Sequence, residues 1–134
     1  MQFASKGQTL LNLSEKLASA FVPKLVVFSV DDWRQNQKRL QQELKKAFGS
    51  ESLVVRSSCH SEDNLQSSNA GAFLSVSGVK ACSVASAINR VIESYGVAED
   101  RDEIIVQRMV QDVFFSGVIF SHDPNNGTPY RVIN

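Results

Sequence analysis

The feature that most constrains this chain is the order of its apolar patterns, in which helical stripes alternate with short β-branched runs. Ser5-Lys6-Gly7-Gln8 reads as a capping box, with Ser5 as N-cap and Gln8 reaching back to it. Leu10, Leu13, Leu17, Ala20 and Phe21 follow at helical spacing, and Pro23 is expected to end that helix. Leu25-Val26-Val27-Phe28 is a buried-strand pattern. Ser29-Val30-Asp31-Asp32 then opens a second helix with Trp33, Leu40, Leu44, Ala47 and Phe48 along one face and Gly49 at its C-terminal cap. Ser52 to Arg56 is a further strand, and a polar segment runs from Ser57 to Ala70 before strand pattern returns at Gly71 to Val76. Ser83 is placed to cap a third helix, which buries Val84, Ile88, Val91, Ile92 and Tyr95. The remainder is β-rich, at Glu103 to Val110, Phe114 to Ser121 and Tyr130 to Ile133, with Asp123-Pro124-Asn125-Asn126-Gly127 as a hairpin turn between the last two. The expected fold is α/β, with about three helices on a mixed sheet in one domain over residues 1–134.

Composition narrows the function classes. Lys plus Arg and Asp plus Glu are both 14, so the formal net charge is zero, and no field of the whole chain favours nucleic acid or an anionic membrane. Any bound anion must be held by a local cluster. Cys59 and Cys82 are too few for a disulfide scaffold and match no zinc spacing. No run approaches the roughly 18 apolar residues of a membrane span, and the N-terminus lacks a secretory pattern, so the protein is expected in the cytoplasm. The strand pattern Tyr130 to Asn134 stops without a turn, which points to a segment of a longer protein.

Three places carry candidate chemistry. Arg56 leaves a buried strand into Ser57, Ser58, Cys59, His60, Ser61, Glu62 and Asp63, and an Arg at a strand's carboxyl end suits phosphate oxygens. The loop is longer than ordinary connections, and Gly71 between two alanines allows a backbone to approach a ligand closely. The alternative is a surface loop with Arg56 paired to Glu62 or Asp63. Lys6 stands at a helix start, where an anion is favoured, although no P-loop pattern is present and a solvated Lys is the plainer reading. In Ile104 to Val110, alternation sets Ile105, Gln107 and Met109 on one side of the strand; Gln107, Met109 and the backbone of Val110 have the apolar and amide character an adenine needs. A core strand with one polar outlier is the alternative there. Cys59 and His60 are adjacent and point apart in extended chain, so they form no dyad with each other.

Taken in order, these residues resemble a known pattern. Val55-Arg56-Ser57-Ser58, then Glu62-Asp63 and Ala70-Gly71, resembles the VRSS…ED…AG signature of the phosphoenolpyruvate synthase and pyruvate phosphate dikinase family. Val106-Gln107-Arg108-Met109-Val110, Ser116-Gly117-Val118-Ile119-Phe120 and Asp123-Pro124 are similar to that family's VQxMV…SGVxFxxDP segment, and Ser5-Lys6-Gly7 with Val22-Pro23 to its GGKG…VP start. The resemblance implies the first lobe of an ATP-grasp domain. It implies Lys6 and Arg56 on the phosphates, the Gly71 loop over them, Ser57, Ser58, Glu62 and Asp63 as the supporting loop, and Gln107, Met109 and Val110 on the adenine. It further implies ATP and Mg²⁺ as cofactors, with the metal's acidic ligands lying beyond Asn134. The phosphoryl group would pass through a histidine on another domain to a small acceptor such as pyruvate. A lobe kept as a non-catalytic binding or scaffold module, and an enzyme using Cys59 as nucleophile, are the competing expectations.

Overall fold

The computed structural model describes residues 5–58 and 74–134. In chain order it holds α1 (Lys6–Ser14), β1 (Leu25–Ser29), α2 (Val30–Phe48), β2 (Leu53–Ser58), β3 (Ser75–Val79), α3 (Val84–Ser94), β4 (Glu103–Arg108), β5 (Ile119–Phe120) and β6 (Val132–Ile133), with a 3₁₀ turn over Ala81–Ser83. The fold is therefore mixed helix and strand, with three α-helices among the described residues.

The main sheet has four strands in the order β1-β4-β2-β3, and every neighbouring pair is antiparallel. A mixed sheet was the expectation, and the correction has a topological cause. The crossovers β1–α2–β2 and β3–α3–β4 each join strands that run parallel, but another strand lies between the two members of each pair. The hydrogen-bonded neighbours are then all antiparallel. β5 and β6 form a separate two-stranded ladder in which Ile119 faces Ile133.

α2 and α3 cover one face of the sheet. Val26 and Phe28 of β1, Leu53 and Val55 of β2, and Ile104 and Val106 of β4 meet Trp33, Leu40, Leu44, Phe48, Val84, Ala87, Ile88 and Val91 in one core. The apolar stripes of both helices account for this burial. Trp33 stacks on Phe28 and donates its indole N–H to Asn89 Oδ1 at 2.9 Å, so its polar edge is satisfied. Ser29 caps α2 by accepting from the Asp32 N–H, and the N–H groups of Val30 and Asp31 donate to the carbonyls of Asp102 and Asp100 just before β4. Gly49 ends the helix at φ 56°, a backbone state that suits glycine.

Several expectations are corrected. α1 ends at Ser14 rather than at Pro23, and Leu13, Leu17 and Phe21 are exposed. Ser14 Oγ donates back to the Leu11 carbonyl, a local bond that competes with helix continuation. The helix docks through Gly7, its one buried residue; of the apolar stripe Leu10, on the same side as Gly7, is half-buried, whereas Leu13 is exposed. Ser5 caps α1 as expected, but Gln8 bonds Asn12 rather than reaching back. Ser83 precedes α3 without capping it, because its hydroxyl donates to the Lys80 carbonyl in the 3₁₀ turn. β4 ends at Arg108, two residues earlier than the pattern implied, and β5 and β6 are each shorter than their apolar runs. The turn between β5 and β6 does form: the Gly127 N–H donates to the Asp123 carbonyl, and Asp123 Oδ1 accepts from the Asn125 N–H.

Candidate functional site

Strand alternation decides which candidate residues share a surface. Since Leu53 and Val55 point into the helical core, Val54, Arg56 and Ser58 lie on the opposite face of β2. Ile104 and Val106 of β4 face the helices, so Glu103, Ile105 and Gln107 lie with Arg56 and Ser58. Register places Arg56 beside Ile105, Val54 beside Gln107 and Ser58 beside Glu103. Arg56 and Gln107 are thus diagonal neighbours on the two central strands. Arg56 is half-buried and makes no ion pair among the described residues.

The start of α1 sits against the far end of the same face. Gly7 N–H donates to Ser58 Oγ at 3.0 Å, and Ser5 Oγ donates to Glu103 Oε2. Lys6 lies between these two anchors and is half-buried. The amides of Gly7, Gln8 and Thr9 are all engaged, with Ser58 Oγ, Ser5 Oγ and the Ser5 carbonyl respectively. The helix start is therefore bound internally at these positions. An anion near Lys6 must be held mainly by side chains rather than by these amides. Tyr95 closes the same corner: its hydroxyl accepts from the Ser58 N–H at 3.2 Å and donates to the Glu103 carbonyl at 2.6 Å.

At the opposite end of β4 a cavity of about 530 Å³ opens among Phe21, Pro23, Ser50–Ser52, Lys80 and Arg108–Asp112. Met109 and Val110 both line it. The Met109 N–H is committed to the Ser52 carbonyl, whereas the Val110 backbone makes no hydrogen bond among the described residues. Asp112 turns the chain at the rim with φ 53°, a left-handed state that Asp tolerates. Gln107 does not line the cavity. It is 6% exposed, and its Nε2 donates to the Pro23 carbonyl at 3.2 Å, which fixes one wall of the cavity from beneath.

The candidate residues are therefore distributed along a strip. Lys6 and Ser58 lie at the Glu103 end, Arg56 and Gln107 in the middle, and Met109 and Val110 at the cavity. From Glu103 to Met109 the strand advances roughly 20 Å. Lys6, Arg56 and Gln107 share the face, and none of them is among the described residues that line the cavity at Met109. Ser57 departs from the strip altogether, because alternation turns it toward the helical core, where it is buried. Cys59, His60, Glu62, Asp63 and Gly71 lie outside the described residues. His122 is exposed beside Ser121, and Cys82 is a free, exposed thiol far from the strip in sequence.

The residues present fit a nucleotide in part. A guanidinium stands beside Val54 and Ile105 on a sheet face that also carries Ser58, Glu103 and Gln107, and the cavity at the strand end sets Phe21, Pro23, Met109 and Val110 among polar and charged side chains, with the Val110 backbone unbonded among the described residues. For Mg²⁺ the described residues offer no group of three His, Cys, Asp or Glu able to hold a metal ion. Sequence reasoning missed the Ser5, Ser58, Glu103 and Tyr95 corner and the contributions of Phe21, Glu51 and Lys80 to the cavity. The pairing of β4 with β1 and β2, of β3 with β2, and the docking of α1 and α3 bring these distant residues together. No helix among the described residues is long and apolar enough to cross a membrane. Comparison with known proteins finds no matching family model, no similar curated protein and no similar solved structure.

Proposed function

We propose that this chain binds Mg-ATP as one lobe of an ATP-grasp phosphotransferase similar to phosphoenolpyruvate synthase and pyruvate phosphate dikinase. The observation that carries the reading is the strip itself: Arg56 lies on the same sheet face as Gln107, and the strand that carries Gln107 runs into the cavity lined by Met109 and Val110. An extended nucleotide laid along it would set its base against Met109 and the Val110 backbone and its phosphates toward Arg56 and Lys6. Arg56 supplies a planar set of donors for phosphate oxygens, and the role is positional and electrostatic, as phosphoryl transfer demands. The geometry modifies one assignment. Gln107 acts by holding the Pro23 carbonyl and the cavity wall, and the backbone at Val110 reads the base. The transfer itself, from ATP to a histidine on another domain and on to a small acceptor such as pyruvate, belongs to the same proposal.

The test is a calorimetric titration with Mg-ATP. Arg56→Ala is expected to weaken binding on the order of 10- to 100-fold, the worth of one or two charge-assisted hydrogen bonds. An unchanged affinity removes Arg56 from the phosphate site and leaves the strip without its anchor.

One observation favours a second reading, that of a non-catalytic interaction module. Val113, Phe114 and Phe115 follow the cavity in sequence and are all exposed, the two phenylalanines above 90%. Under that reading the titration shows no heat with Mg-ATP, and Phe114→Ser with Phe115→Ser abolishes association with a protein partner.

A further inference from the structure

A second cavity adjoins the one at Met109, sharing Ser50 and Lys80 with it, and is lined chiefly from α2. It measures about 650 Å³ and runs between α2 and the segment that follows β3. Lys38, Gln41, Gln42 and Lys45 line it from α2, at the i, i+3, i+4 and i+7 positions of one helix face. Lys80 and Cys82 line it from the 3₁₀ turn opposite. No carboxylate among the described residues lines it.

Charge pairing elsewhere on α2 makes this groove distinct. Arg34 is paired with Asp100, and Arg39 with both Asp32 and Glu43. The hydrogen bonds that Arg39 donates to Glu43 and then to Asp32 raise its pKa above the ordinary value. Lys38, Lys45 and Lys80 have no such partner among the described residues. In a chain of zero formal charge, three ammonium groups are thus gathered around one concave surface, together with two side-chain amides. Lys45 also lies in the last turn of α2, where a cation complements the helix dipole, but that does not account for Lys38 or for Lys80 on a different element.

We propose that this groove is a second binding site, specific for a small ligand carrying two or more phosphoryl groups. Its size falls within the range of small-molecule pockets, roughly 300–1,000 Å³. Its donors are ammonium groups and amides on two walls, so a compact ligand must present several anionic oxygens in different directions to engage them together. Lys80 and Ser50 line this groove and the cavity at Met109 alike, whereas Lys38 and Lys45 line the groove and not that cavity. The inference does not depend on the nucleotide reading.

Cys82 provides a built-in reporter. The full-length chain is titrated with sodium tripolyphosphate, without divalent metal and at low ionic strength. Alkylation of Cys82 by iodoacetamide is followed by peptide mass spectrometry, which separates it from Cys59. Tripolyphosphate is expected to slow alkylation of Cys82 saturably. The double variant K38Q/K45Q, which keeps good helix formers at exposed positions, is expected to raise the half-protecting concentration on the order of tenfold or more. Arg56→Ala is expected to leave it unchanged, which separates this site from the strip whether or not the strip binds nucleotide. Absence of protection, equal protection in K38Q/K45Q, or equal protection by citrate would each overturn the assignment.

Discussion

Gly7 and Ser58 are joined across the molecule by a 3.0 Å hydrogen bond from the glycine N–H to the serine Oγ, and this bond seats α1 on the sheet. The approach is close. A Cβ at position 7 would lie 2.7 Å from Val27 Cγ1 and 3.0 Å from Glu103 Oε2. In an exposed helix, Gly→Ala stabilises by up to about 1 kcal/mol. Here the expected sign is reversed, because overpacking costs about 1–3 kcal/mol and exceeds the propensity gain. Gly7→Ala should lower the urea midpoint, and a midpoint equal to or above wild type would show that α1 is not seated on Val27.

Tyr95 bridges the ends of β2 and β4 through one hydroxyl, which serves the Ser58 N–H and the Glu103 carbonyl. Tyr95→Phe removes the bridge and leaves a buried N–H at Ser58, a residue 1% exposed, without that partner. The expected cost is about 1–3 kcal/mol. Amide hydrogen exchange should locate it: the Ser58 amide should exchange faster in the variant, while the amide of Leu44 shows only the change in global stability.

The helical stripes make opposite predictions although they look alike in sequence. Leu44→Ala cuts into the core of α2, where the side chain is 2% exposed, and should cost about 2–5 kcal/mol. Leu17→Ala alters an exposed residue of the N-terminal stripe and should change stability by less than about 0.5 kcal/mol. Chemical denaturation of both variants measures the contrast, and comparable losses would mean that the N-terminal stripe is buried after all.

That contrast explains how much of the molecule was legible. Trp33, Leu40, Leu44 and Phe48 are buried as their spacing implies, because α2 crosses the sheet along its length and the whole stripe finds a partner. Leu13 and Leu17 have the same spacing, but periodicity reports an apolar stripe without reporting what covers it. The docking contact of α1 is instead a glycine, which carries no hydrophobic signal. The same limit applies on the sheet. Alternation within β2 puts Arg56 and Ser58 on one face and Ser57 on the other, and that much is legible once Leu53 and Val55 are known to be core. The meeting of Arg56 with Gln107, and of Phe21 with Met109, depends on which strands are neighbours and in what register. Nothing local encodes that.

Gln107 offers the sharpest test of how the strip works. Its side chain is almost fully buried and its amide holds the Pro23 carbonyl, so the structure makes it a positioning residue for the cavity wall. Arg56, half-buried and without an ion pair among the described residues, has no comparable structural duty. The two alanine variants should therefore separate. Gln107→Ala should lower stability by about 1–3 kcal/mol, because it removes a buried hydrogen bond and leaves a small void. Any loss of Mg-ATP affinity should then accompany that destabilisation. Arg56→Ala should lower affinity while the urea midpoint stays within about 0.5 kcal/mol of wild type. Paired calorimetric and denaturation measurements decide the matter. If Gln107→Ala loses affinity with stability intact, the amide contacts the ligand directly, and the bond to Pro23 is one that nucleotide binding displaces.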